Sequence, residues 1–319
     1  MTHPQAGYDW PHAPRAVGDV VALSDTYPEC VAFVCKEDAA GVREPRGTAF
    51  FVCVYGVTGA EWGYLVTARH LIEDGMKTWV RLRRRDGGSP HDEPVSDWTP
   101  HKTADVAITP CQIPPEFIHR YVPDTQFADR WDSWADSRLV LSDQVWFIGL
   151  LAHVETMAQR AIPMVRSGIL GASYQEDIPF EDDVNGSITR EPCAHLIDCH
   201  SVGGFSGSPV FIGQPGIVKK DDGDLAIGGA VALLGVLLGH FVGPNAGIAA
   251  VVPVEAIREL LDRKDAVDDR ETKNEKVRAR RREAAEANAG VRDSVGGSEY
   301  QRFEDLTRKL VNTPKPKPH

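Results

Sequence analysis

Cysteine is scarce in this chain of 319 residues, with six thiols at positions 30, 35, 53, 111, 193 and 199. So few, with no export signal ahead of them, argue against a disulfide framework and read as buried reduced thiols. The N-terminus lacks the basic start, apolar core and small-residue cleavage site of a signal peptide; Met1 to Asp19 carries Pro4, Pro11 and Pro14 instead, and the expected location is cytoplasmic. A basic surface is missing as well. Before Asp262 the chain has 20 Lys and Arg against 34 Asp and Glu, and from Asp262 onward the balance reverses to 15 against 12. An acidic body argues against phosphate-backbone binding as the main task. Charge is absent altogether from Leu225 to Val254, thirty residues and long enough to span a bilayer. The glycines at 228, 229, 235, 239 and 243, followed by Pro244-Asn245, break that stretch into two strands around a turn and disfavour a membrane helix.

With 42% hydrophobic residues the chain can bury a sizeable core. Apolar runs of strand length recur at Cys30–Cys35, Thr48–Tyr55, Gly63–Thr67, Thr78–Leu82, Val106–Thr109, Arg138–Leu141 and Val145–Leu150. Others follow at Pro163–Gly171, His195–Cys199, Pro209–Ile212, Ala230–Leu238 and Ile248–Val252, most of them separated by Gly, Pro, Asp or Asn. This is an all-β pattern. A loop-like stretch from about Pro114 to Ser137 splits the strands into two groups, which suits two six-stranded antiparallel barrels better than one sandwich. Val254, Ile257, Leu260 and Leu261 then fall at helical spacing, predicting a C-terminal helix over 254–262.

Three short motifs carry chemistry. Leu65-Val66-Thr67-Ala68-Arg69-His70 is an apolar strand running into a histidine, Ala104-Asp105-Val106-Ala107-Ile108 an aspartate opening an apolar run, and Gly204-Phe205-Ser206-Gly207-Ser208-Pro209 a serine among small residues ahead of a strand. Each has an innocent use: Ser206 in a turn, His70 at a helix start, Asp105 as a strand-end cap. Together and in the order His, Asp, Ser they match one of the three chain orders in which a nucleophilic serine, a base and an orienting acid recur. Residues 204–208 do not form Gly-x-Ser-x-Gly, so a hydrolase elbow is not supported.

These motifs resemble the trypsin-like (chymotrypsin-fold) serine peptidase family, closest to its compact bacterial HtrA-like branch, over roughly residues 20–262. Thr67-Ala68-Arg69-His70 is similar to the family's "TAxH", Asp105-Val106-Ala107-Ile108 to "DvAl", and 204–209 to "GxSGxP". The resemblance implies a bacterial serine endopeptidase with no cofactor, acting on a protein or peptide. Barrel one would span about 20–113 and barrel two about 138–253, after an N-terminal arm over 1–19. Ser206 would be the nucleophile, His70 the general base and Asp105 the residue that fixes its tautomer, with the N–H groups of Gly204 and Ser206 forming the oxyanion hole. Phe205 stands where activatable digestive members have an aspartate for a newly cut N-terminus, so activation by N-terminal insertion is not expected. By the same resemblance His200 lies at the base of the S1 pocket, and Leu238, Gly239 and His240 lie on the strand that pairs with substrate. Without an acid at that base, Arg or Lys at P1 is disfavoured. Either a small apolar P1 fits against Val236 to His240, or His200 and His240 favour an acidic P1, and the first is preferred because a lone buried histidine is more often neutral.

Cys193, His195, Cys199 and His200 form a group with zinc-ligand chemistry, but no second pair of close ligands accompanies it and no metal is expected. The C-terminal region divides into a charged linker over 263–297, expected as a solvated helix or a disordered tether, and a segment over 298–319. There Tyr300, Phe303, Leu306, Leu310 and Val311 return at helical spacing, either to dock on the body or as a handle for a protein partner, the handle being favoured because docking would not need so long a polar tether. This region is too short and too polar for the PDZ domain that HtrA-type enzymes carry. The competing class is a catalytically silent module that keeps a peptidase fold for its peptide-binding groove.

Overall fold

Residues 23–56, 61–73, 77–129, 139–151, 160–181, 188–199, 204–219, 225–240 and 247–280 are described in the computed structural model. Two compact units divide the chain: Met1–Tyr55 with Glu61–Ala266, and Gly56–Ala60 with Val267–His319.

The first unit is built on strands β1 (Val31–Glu37), β2 (Arg43–Tyr55), β3 (Glu61–Thr67), β4 (Thr78–Leu82), β5 (His91–Val95), β6 (Thr99–Pro100), β7 (Ala107–Pro110) and β8 (Val122–Pro123). They form one eight-stranded sheet in the order β5-β4-β1-β2-β3-β7-β6, with β8 pairing β2 in parallel. Then come β9 (Gln144–Leu150), β10 (Pro163–Glu181), β11 (Ile188–Cys199), β12 (Pro209–Lys219), β13 (Leu225–His240) and β14 (Ile248–Pro253), and these close into a six-stranded barrel. Helix α1 (Val254–Leu261) follows, where the periodicity places it.

This is the double-barrel, all-β architecture that the motifs lead one to expect, with one refinement. The first sheet has eight strands, not six, and its path is open, a half-barrel. Its end strands carry Pro94 and Pro100, and a residue without an N–H cannot continue a ladder outward. Edge strands β5 and β6 escaped the sequence reading because they are brief and largely polar, and β8 because it is only two residues long. The run Arg138–Leu141 is corrected in the other direction: 139–141 form no strand, and Val140 and Leu141 stand exposed beside the turn into β9.

Alternation along the strands explains why so many runs are apolar without a break. On β2, Ala49 and Phe51 face the core of the first sheet, while Phe50 and Val52 face a layer shared with the second barrel. On β9, Val145 and Phe147 point into the closed barrel and Trp146 and Ile148 into the shared layer. A strand buried on both faces has no polar side to show. Helix α1 adds Val254, Ile257, Leu260 and Leu261 to the shared layer. Its Arg258 bonds Asp129, donates to the Asp124 carbonyl at 2.9 Å, and sits 4.9 Å over the Phe127 ring, which ties the helix to the connection between the sheets.

All six cysteines are free thiols. Burial pushes Cys30, Cys35 and Cys111 up to about 12, so these thiols stay protonated and inert. Among the described residues no helix is long and apolar enough to cross a membrane. In the second unit 267–280 are helical, with Lys273 Nζ 2.6 Å from Asp269; Arg270 and Asn274 are buried, so this face is not wholly solvated as expected. The N-terminal arm, the remainder of the linker and the segment 298–319 lie outside the described residues, as does the expected turn at Pro244-Asn245.

Candidate active site

Strand β3 ends at Thr67, and a 3-10 turn over Arg69–Leu71 follows. Leu71 is buried in the first sheet and pins the turn, which leaves the His70 side chain half-exposed at 46%. The opposite carboxylate reaches it from the loop ahead of β7. Asp105 Oδ1 accepts the His70 backbone N–H at 2.8 Å, and Oδ2 lies 2.5 Å from His70 Nδ1. A carboxylate cannot donate, so Nδ1 carries the proton and Nε2 is the acceptor nitrogen. Burial pushes the Asp105 carboxyl up, but the facing His70 and then Arg69 outweigh it, and the group sits below the usual carboxylate range.

Side chains from several elements hold the Asp105 loop. His101 Nδ1 accepts the N–H groups of Thr103 (3.3 Å) and Ala104 (3.0 Å), so its Nε2–H donates to Glu259 Oε2 on α1 at 2.9 Å. Arg69 donates to the His101 carbonyl at 3.0 Å and pairs with Glu73 at 3.3 Å. Glu191, from β11, accepts the Asp105 N–H at 3.0 Å. The sequence motifs did not mark Arg69, His101 or Glu191 for these roles. One signal was readable for Glu191: a period of two along β11 puts it on the inward face of His195, Ile197 and Cys199, where an acid is out of place.

The serine loop is anchored in both sheets. Phe205 is buried in the closed barrel, edge-on to Phe147 at 5.4 Å, and contributes about 2 kcal/mol by burial of its ring alone. Gly207 N–H donates to the Leu237 carbonyl at 2.7 Å, and Leu237 N–H returns to the Ser208 carbonyl at 2.8 Å. From the first sheet Thr48 donates its N–H to the Ser206 carbonyl (2.8 Å) and its hydroxyl to the Gly204 carbonyl (3.2 Å). Thr67, three residues before His70, donates to the Thr48 carbonyl at 2.7 Å. Gly204 has φ +96° and Gly207 φ +82°, the left-handed region that favours glycine. Gly47 lets the loop come close: a Cβ there would meet Leu71 Cδ1 at 2.4 Å and the Ser206 carbonyl at 2.9 Å.

The structure therefore joins His70 to Asp105 directly, and brings Ser206 and Gly204 against the strands that lead into His70. The contacts described for Ser206 are those of its backbone. Ser208 Oγ, by contrast, is fully buried with no hydrogen-bond partner, which removes it as a nucleophile. Leu238 is a core residue at 4% exposure, so only its backbone is open to a substrate role. Gly239 lies at a register shift of β13, and His240 pairs with Ala249. His200 lies outside the described residues. Among the described residues no group of His, Cys, Asp or Glu has metal-site geometry.

Two buried groups on β11 pull stability in opposite directions with pH. Burial holds the His195 ring neutral, pushed down to about 4. Its unfolded counterpart takes a proton near pH 6.5, so between these values the unfolded chain binds the extra proton and stability falls as pH falls. Burial pushes Glu191 up from 4.5 to about 7, against the Asp105 N–H bond. Over that window the folded chain holds the extra proton, and stability falls as pH rises. The two slopes cancel from about pH 4.5 to 6.5, where wild-type Tm is expected to be nearly level. Glu191→Gln leaves the histidine term alone, and its stability should drop by up to about 2.7 kcal/mol, roughly 5–10 °C in Tm, as pH is lowered across that window. Calorimetry on both proteins checks this; a level curve for the variant contradicts it.

No family model and no curated protein matches the chain. Among solved structures it is similar to the MamO protease domain from Magnetospirillum magneticum in its apo form, at TM-score 0.48 and 19% identity over 75% of this chain and 100% of that one. It is also similar to the active form of Rv3671c protease from M. tuberculosis, at TM-score 0.42 and 16% identity over 73% and 80% of the two chains. The thermostable serine protease AL20 from an extremophilic microorganism gives TM-score 0.41 and 12% identity over 73% and 95%. Overlap this loose leaves function to be read from the side chains of this molecule.

Proposed function

We propose that this protein is a serine endopeptidase that works through an acyl-enzyme on Ser206. The observation that carries the reading is the double hydrogen bond of Asp105 to His70, next to a serine loop whose backbone is tied to the strands leading into that histidine. With Nδ1 protonated, His70 presents an accepting Nε2. Ser206 Oγ attacks the substrate carbonyl carbon as its proton passes to Nε2, and Asp105 stabilises the imidazolium that forms. The oxyanion is received by the N–H groups of Gly204 and Ser206. His70 then returns the proton to the leaving amine, and water, activated by the same nitrogen, hydrolyses the ester. Each oxyanion donor is worth about 3 kcal/mol in the transition state.

Phe205 supports a loop that stands ready without maturation, because ring burial anchors the turn where no charged N-terminus is needed. The amphipathic segment 298–319 completes the reading as a handle through which a protein partner governs the enzyme.

A serine-reactive phosphonate tests the proposal. The wild type is expected to take up one label, mapped to Ser206 by peptide mass, and Ser206→Ala to take up none. Folded wild-type protein that stays unlabelled throughout about pH 6 to 9, a range that reaches well above the ordinary histidine titration, would sink it.

A further inference from the structure

Glu191 stands on β11 of the closed barrel, yet its carboxyl serves a loop of the other sheet. The side chain is 4% exposed. Oε2 holds the Asp105 N–H at 3.0 Å, and Oε1 is buried with no hydrogen-bond partner. A carboxyl so placed is an expensive way to secure one N–H: a neutral amide reaches as far, and burying an unmatched carboxyl oxygen costs stability. The arrangement makes sense if the charge itself has a use.

The charged and titratable groups around it come from five elements. Asp105 faces it from the loop before β7 and Arg69 from the turn after β3. Cys193 follows it on β11, and that thiol is also faced by Glu255 of α1 and Glu176 of β10. His70 lies on the far side of Asp105.

Resting on the peptidase reading above, we propose that Glu191 is a positioning residue for the Asp105–His70 pair, one that fixes the aspartate loop by hydrogen bond and strengthens the histidine as a base by its negative charge. A charge behind Asp105 favours the imidazolium, which is the species formed as the serine gives up its proton. Burial places the appearance of that charge near neutrality, within the range where such a base works. Glu191 touches no reacting atom, and its influence passes through Asp105.

The test follows the protonation of His70 by NMR in full-length protein carrying isotope-labelled histidine and glutamate. In the wild type the His70 ring resonance should show two inflections, its own and a second at the midpoint read from the Glu191 carboxyl carbon. Glu191→Gln keeps an oxygen for the Asp105 N–H but no charge. It should abolish the second inflection and lower the His70 midpoint by on the order of half a pH unit, the effect of one charge a few side chains away. The acid limb of kcat/KM on a peptide ester should move with it, and Glu191→Asp should restore the second inflection.

A single inflection in the wild type overturns the proposal even if no variant folds, and so does an unmoved midpoint in folded Glu191→Gln. Failure of the peptidase reading looks different. Both inflections with no phosphonate on Ser206 would leave Glu191 in its role and remove the enzyme, while a labelled Ser206 with one inflection would do the reverse.

Discussion

Replacing Asp105 by asparagine is expected to lower kcat/KM on a peptide ester by roughly 10⁴-fold while the protein stays folded. The geometry dictates the sign. Oδ1 is held by the His70 backbone N–H at 2.8 Å, so an amide in this place must keep its oxygen there and turn its NH₂ toward the ring. Nδ1 then accepts instead of donating, the imidazole proton moves to Nε2, and the nitrogen meant to receive the serine proton is already occupied. Activity should recover partly at high pH, where the serine proton is more easily lost. The measurement is kcat/KM against pH beside a melting curve. A loss smaller than about tenfold in folded protein would mean that the pair is not part of the chemistry.

The second large effect is expected at Gly207. A Cβ there would lie 2.1 Å from the Thr48 carbonyl oxygen and 2.6 Å from Thr67 Oγ1, and φ is +82°. Two costs therefore coincide: the left-handed backbone and a collision with the threonine bond that ties the serine loop to the first sheet. Gly207→Ala should destabilise the protein by about 3 kcal/mol and lower turnover by roughly 100-fold, because the neighbouring serine moves when the loop backs away. Gly41 is the control, with φ +79° and nothing within 4 Å of its Cβ. Gly41→Ala carries the backbone cost alone, about 1 kcal/mol, with activity unchanged. Equal losses of stability in the two variants would show that the clash is relieved and that the threonine contact does not set the loop.

How far the chain announces itself depends on whether a feature is local. Strand β4, Thr78–Leu82, coincides with its apolar run residue for residue, and the helix Val254–Leu261 ends one residue short of the expected 262, since period and burial agree there. Strands β10 to β13 run well past the apolar runs that signal them, because their ends pair with each other in long hairpins and need no core. The pairing of His70 with Asp105 was legible from motif order. Glu191, His101 and Thr48 were not, since each acts on a residue more than thirty positions away or through a backbone group that any sequence supplies. An acid on the inward face of β11 was the trace that such a contact leaves.

The supports of the site are exchanged between the two sheets. Thr48 and Thr67 of the first steady the serine loop of the second, and Glu191 of the second steadies the aspartate loop of the first. Cut into halves at the connection between the barrels, the polypeptide would yield two fragments, each deprived of the brace for its own share of the machinery. Such a pair would be inert apart and restored on reassociation, which makes this scaffold suited to a split reporter whose signal registers the meeting of two fused proteins.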